Sequence, residues 1–148
     1  DRTRAAQAPY RLEQDVEQPP AACWLLRREV WHEIGPFDEV LELFFNDVDW
    51  CARLAATGRS LRYLPGARVA HVGGASTEGR EDFVMRWQTD RLRYQRKHFG
   101  RLGALVAKVC VSWSYLDWRW REGKKRRRGE VAEDVATMQR AFAAFLRS

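Results

Sequence analysis

Apolar residues recur at helical spacing directly after an acidic turn in the first third of the chain. From Val48 to Ala55, every third or fourth residue is apolar, so these residues share one face of a helix. Asparagine and aspartate are favoured where a helix begins, because their side-chain oxygens accept hydrogen bonds from free amides of the first turn. The pattern predicts a helix that begins at Asn46 and Asp47 and ends at Gly58, which supplies a left-handed terminal residue.

The remaining segments alternate between short apolar runs and longer helical patterns. Short runs of four to six residues predict strands over 21–26, 61–64 and 68–72. Helical spacing predicts further helices over 28–34, 78–98 and 102–121, and a last helix after Gly129. We therefore expect a linker or loosely packed arm over residues 1–20, a mixed α/β region over 21–100 and a helical tail over 101–148.

The helix predicted over 102–121 is amphipathic and rich in tryptophan, and five consecutive basic residues, 124–128, follow it. An apolar stripe next to basic residues is typical of a helix that lies on an anionic membrane surface, which we expect to meet residues 102–128. The alternative is a core-facing helix followed by a solvated charged loop. Binding to nucleic acid is less favoured, because a basic run alone is generic and does not account for the tryptophans. The stripe consists of Leu102, Leu105, Val106, Val109, Trp113, Leu116 and Trp120.

Composition and charge narrow the class of protein. The chain has 148 residues, 45% of them hydrophobic, and a formal charge of +6, which suggests an anionic partner. No apolar stretch approaches the roughly 20 residues that a membrane-spanning helix needs. Three widely spaced cysteines, Cys23, Cys51 and Cys110, lie among apolar residues and predict buried thiols in a reducing compartment. We expect a cytoplasmic protein that can lie on the inner face of the cell membrane.

An ordered series of short motifs runs through roughly residues 20 to 100. The chain reads ACWLLRRE over 22–29, GPFDE over 35–39 and NDVDW over 46–50, and single residues continue the order. This series resembles the C-terminal half of the catalytic domain in family-2 inverting glycosyltransferases, especially the rhamnosyl- and galactofuranosyltransferase-like branch. Each motif alone is loose, but the ordered set is much more specific. The single residues are Arg53, Leu54, Gly58, Pro65, Ala67, His71, Gly74 and Ser76.

The resemblance implies a fold and a set of ligands. It implies the C-terminal portion of a GT-A-type α/β domain, dominated by helix, with a helical tail. It also implies a nucleotide-sugar donor, a glycan or lipid-linked acceptor, and a role in polysaccharide biosynthesis. Mg²⁺ or Mn²⁺ would be held mainly by residues outside this chain. No nucleotide-binding βαβ unit is visible in the sequence, so we expect a fragment that lacks the donor half and is inactive alone.

The resemblance also implies roles for individual residues. Inverting sugar transfer needs a carboxylate that takes the proton of the acceptor hydroxyl, and the family's second acid at this turn matches Asp47. The structural alternative for Asp47 is a helix cap. Asn46 stands where the family usually has Glu, which alters any acceptor contact made there. We expect Asn46, Asp49 and Trp50 to contact substrate, and His71 to approach the metal.

Two alternatives remain from the residues themselves. Asp47 and Asp49 form an Asp-x-Asp pattern that can hold a divalent metal. We disfavour that interpretation, because the family's metal-binding pair lies upstream and Asp49 can instead orient Arg53 or cap the helix. A different class of function is a non-catalytic basic helical module that binds anionic membrane or nucleic acid.

Overall fold

The computed structural model describes residues 11–72, 83–129 and 135–147. Helix dominates these residues, as predicted, and they form two compact units. The first unit contains residues 11–38 and 46–72, and the second contains 39–45 and the helices after residue 82. The boundaries predicted at residues 20 and 100 thus fall within units. The elements are β1 Gln14–Val16, α1 Arg28–Ile34, α2 Asn46–Ala56, β2 Leu61–Tyr63, α3 Phe83–Arg127 and α4 Val135–Arg147.

The two described strands form an antiparallel pair in the first unit. Asp15 lies opposite Arg62, and the carboxylate oxygen Oδ1 of Asp15 is 3.1 Å from Nε of Arg62. Residues 14–16 are therefore a strand and not part of a loose arm. The strands predicted over 21–26 and 68–72 are wrong, because neither segment is a strand in the structure. A strand is stabilised by a paired neighbour, and β2 pairs with residues 14–16, which sequence periodicity did not single out.

Both helices of the first unit end as their sequences predict. The amide of Gly35 donates a 2.9 Å hydrogen bond to the carbonyl oxygen of Trp31 and closes α1 at a φ of 83°. Gly58 follows α2 with a φ of 77°, a conformation that glycine adopts without steric cost. The predicted helices 28–34 and 46–58 are thus confirmed. The first residues of the predicted helix 78–98 lie outside the described residues.

In the second unit, Gly100 divides α3 into two helical segments, 83–99 and 101–127. Its φ of 64° and ψ of −155° occur essentially only in glycine, so the predicted helix end at Gly100 is confirmed. Leu92 of the first segment packs with Ala107 and Val111 of the second and with Phe145 of α4. This cluster forms the buried core of the unit. The start of the last predicted helix, residues 130–134, lies outside the described residues.

The predicted apolar stripe on the second segment does not face this core. All seven side chains are exposed, from 54% for Val106 to 74% for Trp113. The buried residues Ala107 and Val111 lie on the other side of the helix. The alternative of a core-facing stripe is therefore contradicted. The basic run is also not a loop, because residues 124–127 continue the helix.

A buried carboxylate anchors the short segment 39–45 within the second unit. Asp90 is 1% exposed, and its Oδ2 accepts hydrogen bonds of 3.0 Å from the amides of Leu43 and Phe44. Arg93 pairs with Asp90 at 3.2 Å and also donates to the carbonyl oxygen of Val40. Polar contacts with α3 thus hold the apolar run 43–45 in place. Hydrophobic periodicity could not reveal these contacts.

Candidate active site

Asp47 lies in the first turn of α2 with a partly exposed carboxylate. Its Oδ1 accepts a 2.8 Å hydrogen bond from the amide of Val48. Its Oδ2 accepts longer bonds from the amide of Ala21, at 3.3 Å, and from Nε2 of Gln18, at 3.5 Å. Among the described residues, no cationic side chain forms an ion pair with Asp47. The carboxylate is therefore held by backbone and amide donors and can still accept a hydrogen bond from a hydroxyl group.

The neighbouring Asn46 begins α2 and is partly exposed. Its side-chain oxygen accepts a 2.7 Å hydrogen bond from the amide of Asp47. Phe45, the residue before it, has a φ of 63°, which is uncommon for a residue other than glycine. Backbone strain of this kind is concentrated at functional sites and persists only where the surrounding structure holds it. The strained Phe45 therefore supports a functional role for this turn.

Asp49 lies in a different setting from Asp47, although only one residue separates them. Its side chain is fully buried and pairs with Nε of Arg53 at 3.0 Å. Arg53 also donates to the carbonyl oxygens of Ile34, at 2.5 Å, and Pro36, at 2.8 Å. Asp49 thus orients Arg53, as the sequence allowed, and Arg53 ties α2 to the end of α1. The two acids of the Asp-x-Asp pattern do not converge on a common ligand.

Trp50 is also fully buried, and it supports the residues that follow α1. Its Nε1 donates a 2.9 Å hydrogen bond to the carbonyl oxygen of Gly35. The centroid of its ring lies 5.4 Å from that of Trp24 and 6.4 Å from that of Trp31. The substrate contacts predicted for Asp49 and Trp50 are not available in this arrangement, because both side chains are enclosed by protein. Asn46 and Asp47 provide the accessible part of the predicted site.

The pKa of the Cys51 thiol reflects its surroundings next to the acidic turn. Burial, and secondarily the negative charge of Asp47, raises the pKa of the Cys51 thiol to about 11. The thiol therefore stays protonated at neutral pH and is a poor nucleophile. Cys23 and Cys110 are exposed, so the prediction of three buried thiols is wrong for these two.

His71 is exposed and lies in an irregular segment, not at the end of a strand. Within the ranges 11–72, 83–129 and 135–147, no group of three or more His, Cys, Asp or Glu side chains is arranged to hold a metal ion. Gly73 and Gly74, which follow it, lie outside the described residues.

Residues 18–21 contact the acidic turn, although no sequence pattern predicts this role. This segment contains two consecutive prolines and has no periodicity, yet Gln18 and Ala21 reach the carboxylate of Asp47. The one local indication was that Pro19 and Pro20 disfavour a helix and leave the chain extended. The contact joins segments 26 and 29 residues apart, which no local pattern predicts.

Comparison with known proteins does not assign the chain to a family. No family model matches it, and no solved structure matches it. The chain is similar to the uncharacterized protein y4gI of Sinorhizobium fredii (strain NBRC 101917 / NGR234), with 33% identity over 73 residues. The match covers 49% of this chain and 8% of the relative's length. In the described parts of the chain, no helix combines the length and apolar character needed to cross a membrane.

Proposed function

We propose that this chain is the acceptor side of an inverting glycosyltransferase, with Asp47 as the general base. One observation carries the proposal: of the two acids in the Asp-x-Asp pattern, only Asp47 is accessible, and no cation among the described residues neutralises it. A general base must be reachable by the hydroxyl that it deprotonates. The motif order along residues 20–100, including the acidic turn, supports the same assignment.

In this proposal the acceptor hydroxyl donates a hydrogen bond to a carboxylate oxygen of Asp47. As the hydroxyl oxygen bonds to the anomeric carbon of the sugar, its proton passes to Asp47. The bond between the anomeric carbon and the nucleoside diphosphate breaks on the opposite face, so the configuration inverts. The donor, its divalent metal (Mg²⁺ or Mn²⁺) and the residues that hold them are assigned to parts of the protein outside this chain.

The residues near Asp47 have two proposed roles, which are contact with the acceptor and support of α2. Asn46 is assigned a hydrogen bond to the acceptor, which its side-chain contact with the amide of Asp47 supports. Asp49, Trp50 and Arg53 keep α2 in a fixed position against the end of α1. Catalytic groups act efficiently only when their supporting residues hold them in one geometry, and these three provide that support.

The experiment compares variants of the longer protein that contains this chain. Release of nucleoside diphosphate is measured with a panel of nucleotide-sugars and with glycan or lipid-linked acceptors. We expect Asp47→Asn to reduce turnover by about 10² or more, because an amide cannot take the proton. Donor affinity should stay unchanged, since Asp47 acts on the acceptor side.

Asp15→Asn is the matched control, because Asp15 is an exposed carboxylate of the same unit that pairs with Arg62. Its turnover should equal that of the unmodified protein. Full activity of Asp47→Asn, or a loss explained entirely by weaker donor binding, would remove Asp47 from the role of base. The chain of 148 residues alone should be inactive, because it lacks the proposed donor half.

A second candidate function is a non-catalytic basic module that binds an anionic surface. The observation that favours it is the exposed apolar stripe on residues 101–127, which continues into basic residues. The two functions are compatible in one protein, since a glycosyltransferase that uses lipid-linked acceptors works at the inner face of the membrane. They are separable by experiment, because Asp47 and the stripe lie in different units.

A further inference from the structure

We infer that the segment 101–127 is an interfacial helix, which lies flat on a bilayer containing anionic lipid and inserts its apolar stripe into the headgroup boundary. This inference specifies the partner and orientation that the second candidate function leaves open. It does not depend on the catalytic role of Asp47. The stripe is defined by the seven exposed residues Leu102, Leu105, Val106, Val109, Trp113, Leu116 and Trp120.

The stripe and the core-facing side occupy opposite faces of one helix. Successive residues turn by about 100° around a helix axis, so Ala104, Ala107 and Val111 lie about 180° from the centre of the stripe. Ala107 and Val111 are buried against the other helices of the unit. The unit therefore covers one face of this segment and leaves the more apolar face uncovered among the described residues.

Small side chains line the part of the packed face that is nearest to Gly100. Gly103 allows the second segment to approach the first, because a Cβ there would lie 2.3 Å from Cβ of Phe99. Ala104 and Ala107 continue this narrow face along the helix. Farther along the same face, Tyr115 stacks on Phe142 of α4, with ring centroids 4.0 Å apart.

Basic residues border the stripe along its length. With about 100° per residue, Arg101, Lys108, Arg119 and Arg126 fall along one border, and Lys124 falls on the other. The segment from 101 to 128 contains nine basic and two acidic residues, a net charge of +7. Lysine and arginine can keep their charged ends at the surface while their stems cover apolar area. Nζ of Lys124 lies 3.5 Å from the centroid of the Trp120 ring, which places a cation next to an inserted aromatic side chain.

An anionic bilayer fits this surface better than other partners do. A second copy of the chain would bring two strongly basic borders together, and like charges repel. Nucleic acid would meet the basic residues but would leave the apolar stripe in water. A bilayer interface offers acyl chains to the stripe and anionic headgroups to its borders, and tryptophan is enriched at that level of the membrane.

The test is sedimentation of the 148-residue chain with large vesicles of phosphatidylcholine, with or without phosphatidylserine. Binding should require phosphatidylserine and should weaken as salt is raised. Trp113→Ser/Trp120→Ser should reduce the partition coefficient by about tenfold or more, because two apolar anchors are lost. Lys124→Gln/Arg126→Gln/Arg127→Gln should reduce it by about tenfold or more at low salt.

Val69→Ser/Val72→Ser is the matched control, because these apolar residues are equally exposed but lie in the first unit. This control and Asp47→Asn should bind vesicles like the unmodified chain, so failure of the catalytic proposal leaves this inference standing. Circular dichroism confirms that each variant keeps its helices. Three results would overturn the inference: vesicle binding that survives loss of both tryptophans, self-association that depends on the stripe, or full displacement from vesicles by duplex DNA at physiological salt.

Discussion

Asp49 and Arg53 lie one helical turn apart on α2 and form an ion pair whose carboxylate is fully buried. The same guanidinium also donates to two carbonyl oxygens at the end of α1. The buried charge is therefore compensated, and the other donors of the cation bond to the carbonyl oxygens of Ile34 and Pro36. This pair holds the acidic turn in place while Asp47 stays accessible.

We expect Asp49→Asn to destabilise the fold far more than the loss of an exposed acid. Removing one member of a buried ion pair leaves the partner charge uncompensated, and the free energy of unfolding should fall by about 3 kcal/mol. Urea unfolding measured by tryptophan fluorescence is the appropriate assay. The control Asp15→Asn removes an exposed pair and should change stability by about 0.5 kcal/mol or less. Similar stabilities for the two variants would show that Arg53 is held without Asp49.

Cys51 should react slowly with thiol reagents and should make stability depend on alkaline pH. Burial raises the pKa of its thiol from 9.0 to about 11, so the folded state favours the neutral form. That contribution is complete below pH 9 and is lost as pH rises through 11. Cys51→Ala should remove this part of the decline in urea-unfolding free energy between those pH values.

The exposed Cys23 and Cys110 provide the internal comparison for reactivity. At mildly alkaline pH they should be alkylated first, and mass spectrometry of peptides identifies the order. Denaturant should abolish the difference, because it exposes Cys51. Equal rates in the folded chain would mean that Cys51 is not protected by burial.

Replacing individual glycines of α3 with alanine should show which of them the fold requires. Gly100→Ala should lower the unfolding free energy by about 1–3 kcal/mol, because alanine does not fit that backbone conformation. Gly103→Ala should be at least as damaging, since its Cβ would lie 2.3 Å from Cβ of Phe99 and 2.8 Å from the carbonyl oxygen of Gln95. Thermal unfolding followed by circular dichroism measures both.

Gly123→Ala is the matched control within the same helix. A Cβ built there meets nothing within 4 Å apart from the adjoining backbone of its own helix, and its φ is not positive. The substitution should raise stability by about 0.5–1 kcal/mol, because alanine is a better helix former. A destabilised Gly123→Ala together with a neutral Gly103→Ala would contradict the packing described here.

Local sequence determined the elements whose signals are contained within a few residues. Helical spacing and a terminal glycine predicted α1 and α2, and Gly100 was expected to end the helix before it. These features are local because a helix satisfies its hydrogen bonds within its own segment. A short apolar run predicted a strand over 61–64, which is observed over 61–63, but it did not predict the partner strand.

Tertiary structure decided the features that depend on distant partners. Residues 14–16 became a strand because they pair with β2, while the more apolar segments 21–26 and 68–72 did not form strands. Periodicity also separated the faces of the 101–127 helix without showing which face is covered. The face with Ala107, Val111 and Tyr115 packs against the other helices, and the tryptophan stripe lies on the outside.

The acidic turn shows the same division at the level of single side chains. Sequence alone placed Asp47 and Asp49 in the first turn of a helix, where both acids suit the positive end of the helix dipole. Only the fold enclosed Asp49 with Arg53 and left Asp47 accessible, because the end of α1 covers one side of α2. Burial is a property of the whole packed unit, so it is the feature of this site that the sequence could not determine.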